Sequence, residues 1–202
     1  MQSLARATLL MLAVSLSGCG APAAPPAPGQ SRGSPPDLRG RRVILLPVQQ
    51  NLGVYGDPDA ELRFTFSDKG REVEWIYEEE VQKMLDRTPT MDARTRGLPI
   101  SLFRAAEVER IGDPLYGQLR RLAALVEAEG ILIPIEASFE ANETIIDSAP
   151  RVRFTAALVD PRTGRVVWYG IEEGGEFAQD DPRALASAVE RLAETLFWYM
   201  GG

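Results

Sequence analysis

The side chains that could do chemistry are few and scattered. The chain has one cysteine, Cys19, and no histidine among its 202 residues. A lone thiol closes no internal disulfide. Lacking histidine, the chain also lacks the commonest metal ligand and the commonest general base near neutral pH. Carboxylates, hydroxyls and arginines remain. Glu78, Glu79 and Glu80 are consecutive, so on a helix they point in different directions and cannot act as a carboxylate pair. They read as a solvated face. Asp57-Pro58-Asp59 resembles half of a calcium loop, but the glycine and the distal glutamate of such a loop are missing, so no metal is expected. Ser67-Asp68-Lys69 has the wrong spacing for a Ser-x-x-Lys pair, and neither Gly-x-Gly-x-x-Gly nor a phosphate-binding Gly-Lys-Ser/Thr occurs. Asp180 and Asp181 stand before a proline, where an aspartate caps a helix. These residues predict no catalytic site and no cofactor.

Aromatic side chains are the other candidates. Trp168 and Tyr169 adjoin on an alternating segment, so they face opposite sides of a sheet. One is expected in the core and the other at a surface or edge. Phe197, Trp198 and Tyr199 follow the same division at the end of a helix. Because aromatics are enriched at protein interfaces, Trp198, Tyr199 and Tyr169 are the expected partner-binding residues.

Cys19 acquires a meaning from what precedes it. Arg6 supplies a positive start, residues 9–14 are a short apolar core, and small residues follow. Such a segment is too short to remain as a bilayer-spanning helix and has the flanks of a signal peptide. Leu16-Ser17-Gly18-Cys19 resembles the lipobox of bacterial lipoproteins. That resemblance implies cleavage between Gly18 and Cys19, with acyl chains on the thiol and amine of Cys19, which then serves as a lipid anchor in a bilayer. Gly20, in place of an inner-membrane-retaining aspartate, implies an outer-membrane protein facing the periplasm. A thiol so modified is no nucleophile.

Residues 20–37 hold six prolines and four alanines, a composition that favours extended polyproline conformations over a packed core. The expected organisation is a signal peptide at 1–18, a lipidated cysteine and Pro/Ala-rich linker at 19–37, and one domain at 38–202. A domain of that length buries its own core without staples. The formal net charge is −7, and −8 once Arg6 leaves with the signal. An acidic chain lacks the clustered cations that hold phosphates, so nucleic acid is not an expected partner. Asn142-Glu143-Thr144 matches the glycosylation sequon and is given no role in a bacterial chain.

The elements that must position these residues follow from periodicity. Residues 42–48 are a nearly continuous apolar run, hence a buried first strand with Pro47 near its end. Residues 51–60 read as a loop, and 61–66 as a short strand with Leu62, Phe64 and Phe66 on one face. Residues 67–70 read as a turn, and 71–86 as a helix. Asp113 and Pro114 start the next helix, with Leu115, Leu119, Leu122 and Val126 as its stripe and Gly130 at its end. Residues 131–140 read as a strand in which Pro134 demands a bulge or an edge. Residues 151–160 and 165–171 form a hairpin around Pro161-Arg162-Thr163-Gly164. A last helix opens at Pro182 and carries Leu185, Val189, Leu192 and Leu196. This order predicts an α/β two-layer sandwich with a mixed β-sheet packed by about three helices.

The run Val43-Ile44-Leu45-Leu46-Pro47-Val48, the segment Gly130-Ile131-Leu132-Ile133 after a helix, and the hairpin text at 156–170 are similar to a group of envelope domains. The group comprises the curli secretion channel lipoprotein, the lipoprotein activators of penicillin-binding proteins, and the TolB amino-terminal domain. Residues 158–170 carry most of the resemblance, which spans roughly 40–200. It implies a non-enzymatic interaction or assembly module that docks on an envelope protein, or alternatively a ring-forming homo-oligomer. A cell-envelope hydrolase is the remaining alternative, and the missing histidine speaks against it. A membrane pore is not expected, because a spanning hairpin needs about 9 to 11 residues per strand and 61–66 is shorter.

Overall fold

The computed structural model describes residues 30–104, 108–140 and 150–198. Gly18, Cys19, the segment 19–29, Tyr199 and the sequon at 142–144 lie outside the described residues.

Strand β2 (Arg42–Leu45) is the apolar run expected to be buried, and it is buried because it has neighbours on both edges and both faces. On one edge it pairs in parallel with β4 (Glu74–Ile76), and on the other with β5 (Gly130–Glu140). β5 continues antiparallel to β6 (Arg151–Asp160), β6 to β7 (Arg165–Glu173), and β7 to β1 (Gln30–Arg32). Strand β3 (Gln50–Leu52) pairs in parallel with the far half of β5. The seven strands form one mixed sheet.

Among the described residues four α-helices pack on it: α1 (Pro58–Lys69), α2 (Glu78–Asp86), α3 (Leu115–Val126) and α4 (Pro182–Leu196). Alternation along β2 sends Val43 and Leu45 to one face and Ile44 and Leu46 to the other. The first pair joins Phe154, Leu158 and Trp168 beneath α1 and α4. The second joins Ile131, Ile133 and Val159 beneath α2, α3 and the 3-10 turn Ile100–Arg104. Over the far halves of β5, β6 and β7, the second face carries Glu136, Ser138, Arg153, Thr155 and Glu173, which belong to neither apolar cluster. There the architecture is the two-layer α/β sandwich expected, sheet against α4.

The structure corrects two elements. Residues 61–66 are not a strand but the body of α1. Asp57 accepts hydrogen bonds from the backbone N–H groups of Asp59 and Ala60, and Pro58 occupies the first turn, which starts a helix. Leu62 and Phe66, four apart, are buried under it, and Phe64 points outward. Residues 71–86 are not one helix but β4 followed by α2, because the free edge of β2 recruits Glu74–Ile76 into the sheet. One boundary also moves. Helix α3 ends at Val126, where Glu127 takes the left-handed conformation, before Gly130 is reached. The bulge expected at Pro134 is present, between Pro134 and Glu136. It falls in the gap between the β2 and β3 pairings of β5, so the missing N–H interrupts no ladder.

A third difference concerns the linker. Within 19–37, residues 30–32 form β1 on the edge of β7, and Pro35 is buried beside Leu38. Backbone pairing to an open edge needs no apolar side chain, so composition could not show it. Losing about two or three such hydrogen bonds at ~1 kcal/mol each, less the ordering entropy regained, should cost ~1–2 kcal/mol. A chain beginning at Asp37 is therefore expected to melt a few degrees below one beginning at Gln30. Circular dichroism melts of the two would check this, and coincident curves would show that β1 adds nothing to stability.

Candidate functional site

Tyr169 and Trp198 do not meet. Trp198 follows α4, on the layer that contains α1, whereas Tyr169 packs against the cluster under α2 and α3 on the opposite face of the sheet. Trp168 and Phe197 are the core members of their pairs, as expected. Trp168 is fully buried, and Phe197 lies edge-on to Phe66 at 5.4 Å and to Trp75 at 6.0 Å.

Among the described residues the most exposed large apolar side chain is Phe64, expected on one strand face with Leu62 and Phe66. Phe64 is 74% exposed on α1, ahead of Trp198 at 64% and Tyr55 at 61%. It borders an open groove of about 730 Å³ between α1 and α2. The helical period explains its position, since Phe64 lies about 160° around α1 from Leu62 and Phe66. A four-residue spacing for the buried pair was the signal available in the sequence.

The floor of this groove is a polar lattice joining Val48, α1, α2 and the 95–96 segment. Arg96 grips Glu78 with two hydrogen bonds, 2.9 and 2.6 Å, and reaches Asp59 at 2.8 Å. Asp59 in turn accepts from the backbone N–H of Val48 at 2.7 Å, and Thr95 donates to Glu78 at 2.8 Å. Glu79 takes a different arginine, Arg63, whose hydrogen bond holds the Glu79 carboxyl below its ordinary range. Consecutive glutamates thus diverge, as helix geometry requires. The Glu78 carboxylate pins Arg96 firmly in its charged form. The lattice lines the groove with carboxylates already paired.

The remaining candidates take structural roles. Asp57 caps α1, and Asp181 caps α4 through the N–H of Arg183 at 2.9 Å. Ser67 bonds the Tyr77 hydroxyl, Asp68 pairs with Arg71, and Lys69 approaches Glu194 at 3.9 Å, so the three disperse. Glu172 is buried and accepts from the Thr195 hydroxyl at 2.8 Å, and burial pushes its carboxyl up. Residues 29–33 spell Gly-x-Ser-x-Gly, but Ser31 sits in β1 on a sheet edge instead of a strand-to-helix elbow. Among the described residues, no group of three or more His, Cys, Asp or Glu could hold a metal ion.

Tyr169 lines a second, smaller cleft of about 340 Å³ with Arg32, Gly33, Glu109 and Arg165. Burial, and then the charge of Glu136, push its phenol up. The hydroxyl stays protonated at neutral pH and can donate.

No family model and no curated protein matches the chain. Solved structures do. The LpoB C-terminal domain from Salmonella enterica is 16% identical, with 69% of this chain and 86% of that one covered and a TM-score of 0.43. The PelC dodecamer from Paraburkholderia phytofirmans is 14% identical, covering 80% and 96%, with a TM-score of 0.40. Lipoprotein GNA1162 from Neisseria meningitidis is 14% identical, covering 66% and 81%, with a TM-score of 0.38.

Proposed function

We propose that the chain is a bacterial envelope lipoprotein whose folded domain is a non-enzymatic protein-interaction module. Acyl chains on Cys19 hold it to the outer membrane on the periplasmic side, and residues 20–29 connect the anchor to the sheet edge at β1. The docking face is the outer side of α1 with its groove toward α2. Phe64 carries this reading. Placing a phenyl ring 74% in solvent on a helix whose other large apolar residues, Leu62 and Phe66, are buried leaves ~1.5–3 kcal/mol of burial unrealised in the isolated chain. The Arg96 lattice beside it supplies the polar rim that interfaces pair with an apolar centre. The carboxylates Asp57, Glu78, Glu79 and Asp181 are engaged in caps and ion pairs.

The test places a photo-crosslinking residue at position 64 in growing cells, and another at Arg162 in an exposed turn as control. A discrete adduct from 64 and none from 162 is expected. Phe64→Ser should abolish the same contact, introduced with a crosslinker at Ser67, while shifting stability by less than ~0.5 kcal/mol, as for a surface position. Failure of position 64 to crosslink any envelope protein would remove the reading.

A further inference from the structure

The outer edge of β7 is covered by two short segments that do not meet. At one end, Val166 donates to the Glu109 carbonyl at 2.9 Å and Ile111 to the Gly164 carbonyl at 2.8 Å, with Arg110 opposite Arg165. At the other end β1 pairs with Tyr169, Gly170 and Ile171. Between them β7 is irregular: Leu158 faces Trp168 while the next residue of β6, Val159, faces Val166. Val167 is the extra residue. Gly33 crosses it so closely that a Cβ there would lie 2.7 Å from the Val167 carbonyl oxygen, with φ at +80°. The 340 Å³ cleft opens at this point, where the two edge covers part.

Its lining divides cleanly. Phe103, Val108, Val166, Val167 and the Tyr169 ring form apolar walls. Arg165 stands at the cleft with no ion-pair partner among the described residues. Arg32 adds a second guanidinium. Among the described residues of the lining the one carboxylate is Glu109, which meets Arg32 loosely at 3.8 Å and is 86% exposed. A planar guanidinium favours a carboxylate held by two parallel hydrogen bonds. The volume suits a small apolar body.

We propose that this cleft binds a carboxylate carried on an apolar body: Arg165 takes the carboxylate, the Tyr169 hydroxyl donates to it, and the apolar walls hold the attached side chain. Such a group is offered both by the carboxy-terminal residue of a protein chain and by a small free carboxylic acid. Because β1 supplies one wall, the cleft exists only while the segment leading from the anchor is seated on β7. The site is separate from the α1 groove and does not depend on that groove having a partner.

The test titrates the full mature chain with N-acetyl-Ala-Phe as the free acid, with the same dipeptide as its carboxy-terminal amide, and with 3-phenylpropionate. Binding is followed by the amide chemical shifts of Gly33 and Val167. Saturable shifts with the two acids and none with the amide are expected. Arg165→Gln should weaken both acids at least tenfold, Arg165→Lys less, and Arg162→Gln not at all. A peptide acid that binds tenfold tighter than 3-phenylpropionate identifies a protein terminus as the source, and the reverse order identifies a small acid. The proposal fails if neither acid shifts the cleft amides, if the amide binds as well as the acid, or if Arg165→Gln leaves affinity unchanged.

Discussion

Leu192→Ala is expected to destabilise the domain by ~3 kcal/mol, within the range of about 2 to 5 for truncating a buried leucine. Leu192 is fully buried in α4, on a stripe with Leu185, Val189 and Leu196, which pack on β6, β7 and α1. α4 alone closes the far half of the sheet on that face. A cavity there cannot be filled by a neighbouring helix from the other side, because the sheet lies between. In a domain with roughly 5 to 15 kcal/mol of total stability, the melting temperature should fall by about 6 to 12 °C at ~2–4 °C per kcal/mol. Trp198→Ala, six residues further on and mostly in solvent, should move it by less than ~2 °C. Urea titrations of both variants separate the two positions. A Trp198→Ala loss equal to that of Leu192→Ala would place Trp198 in the core in solution.

Cys19→Ser is expected to abolish anchoring altogether. Each buried methylene of an acyl chain contributes ~0.8 kcal/mol to membrane binding, and one chain is marginal whereas two or more hold stably. A serine hydroxyl does not replace the thiolate that accepts the diacylglycerol, so every chain is lost together. No described helix is long and apolar enough to cross a membrane. With a net charge of −7, the folded chain gains no attraction to an anionic lipid surface. Fatty-acid labelling should disappear, and the protein should leave the membrane fraction or persist as uncleaved precursor. Labelling of Cys19→Ser at the wild-type level would overturn the anchor, and with it the location proposed for the domain.

Local text made much of the fold legible. The β6–β7 hairpin was readable because its turn and both alternating arms lie within about twenty residues. The cap at Asp181 and the stripe of α4 likewise depend only on near neighbours along the chain. The bulge at Pro134 follows from the chemistry of one residue. Such features rest on interactions of short range in sequence, where period and capping carry the information. The apolar residues 62, 64 and 66 were ambiguous because a period of two and a spacing of four both accommodate them. The Asp57 cap selects the helix, and the seat of α1 against α4 and the sheet turns Leu62 and Phe66 inward and Phe64 outward.

Tertiary structure alone decided the surfaces. Asp59, Glu78 and Arg96 come together from three segments, and no pattern in any one of them announces the lattice. The Tyr169 cleft needs β1, β7 and the 108–111 segment at once. β1 itself is three residues, Gln-Ser-Arg, with no apolar signal, and its strand conformation comes from the unpaired edge of β7. The sequence alone carried the expectation of an anchor, and it made legible the α/β class, the strands β2, β5, β6 and β7, the helices α3 and α4 and the second half of the expected 71–86 helix as α2, because periodicity and local chemistry suffice for these. Which aromatic faces solvent, and which arginine stands at a cleft, depended on where the chain closes on itself: burial and ion pairing are properties of neighbours in space that no window of the sequence contains.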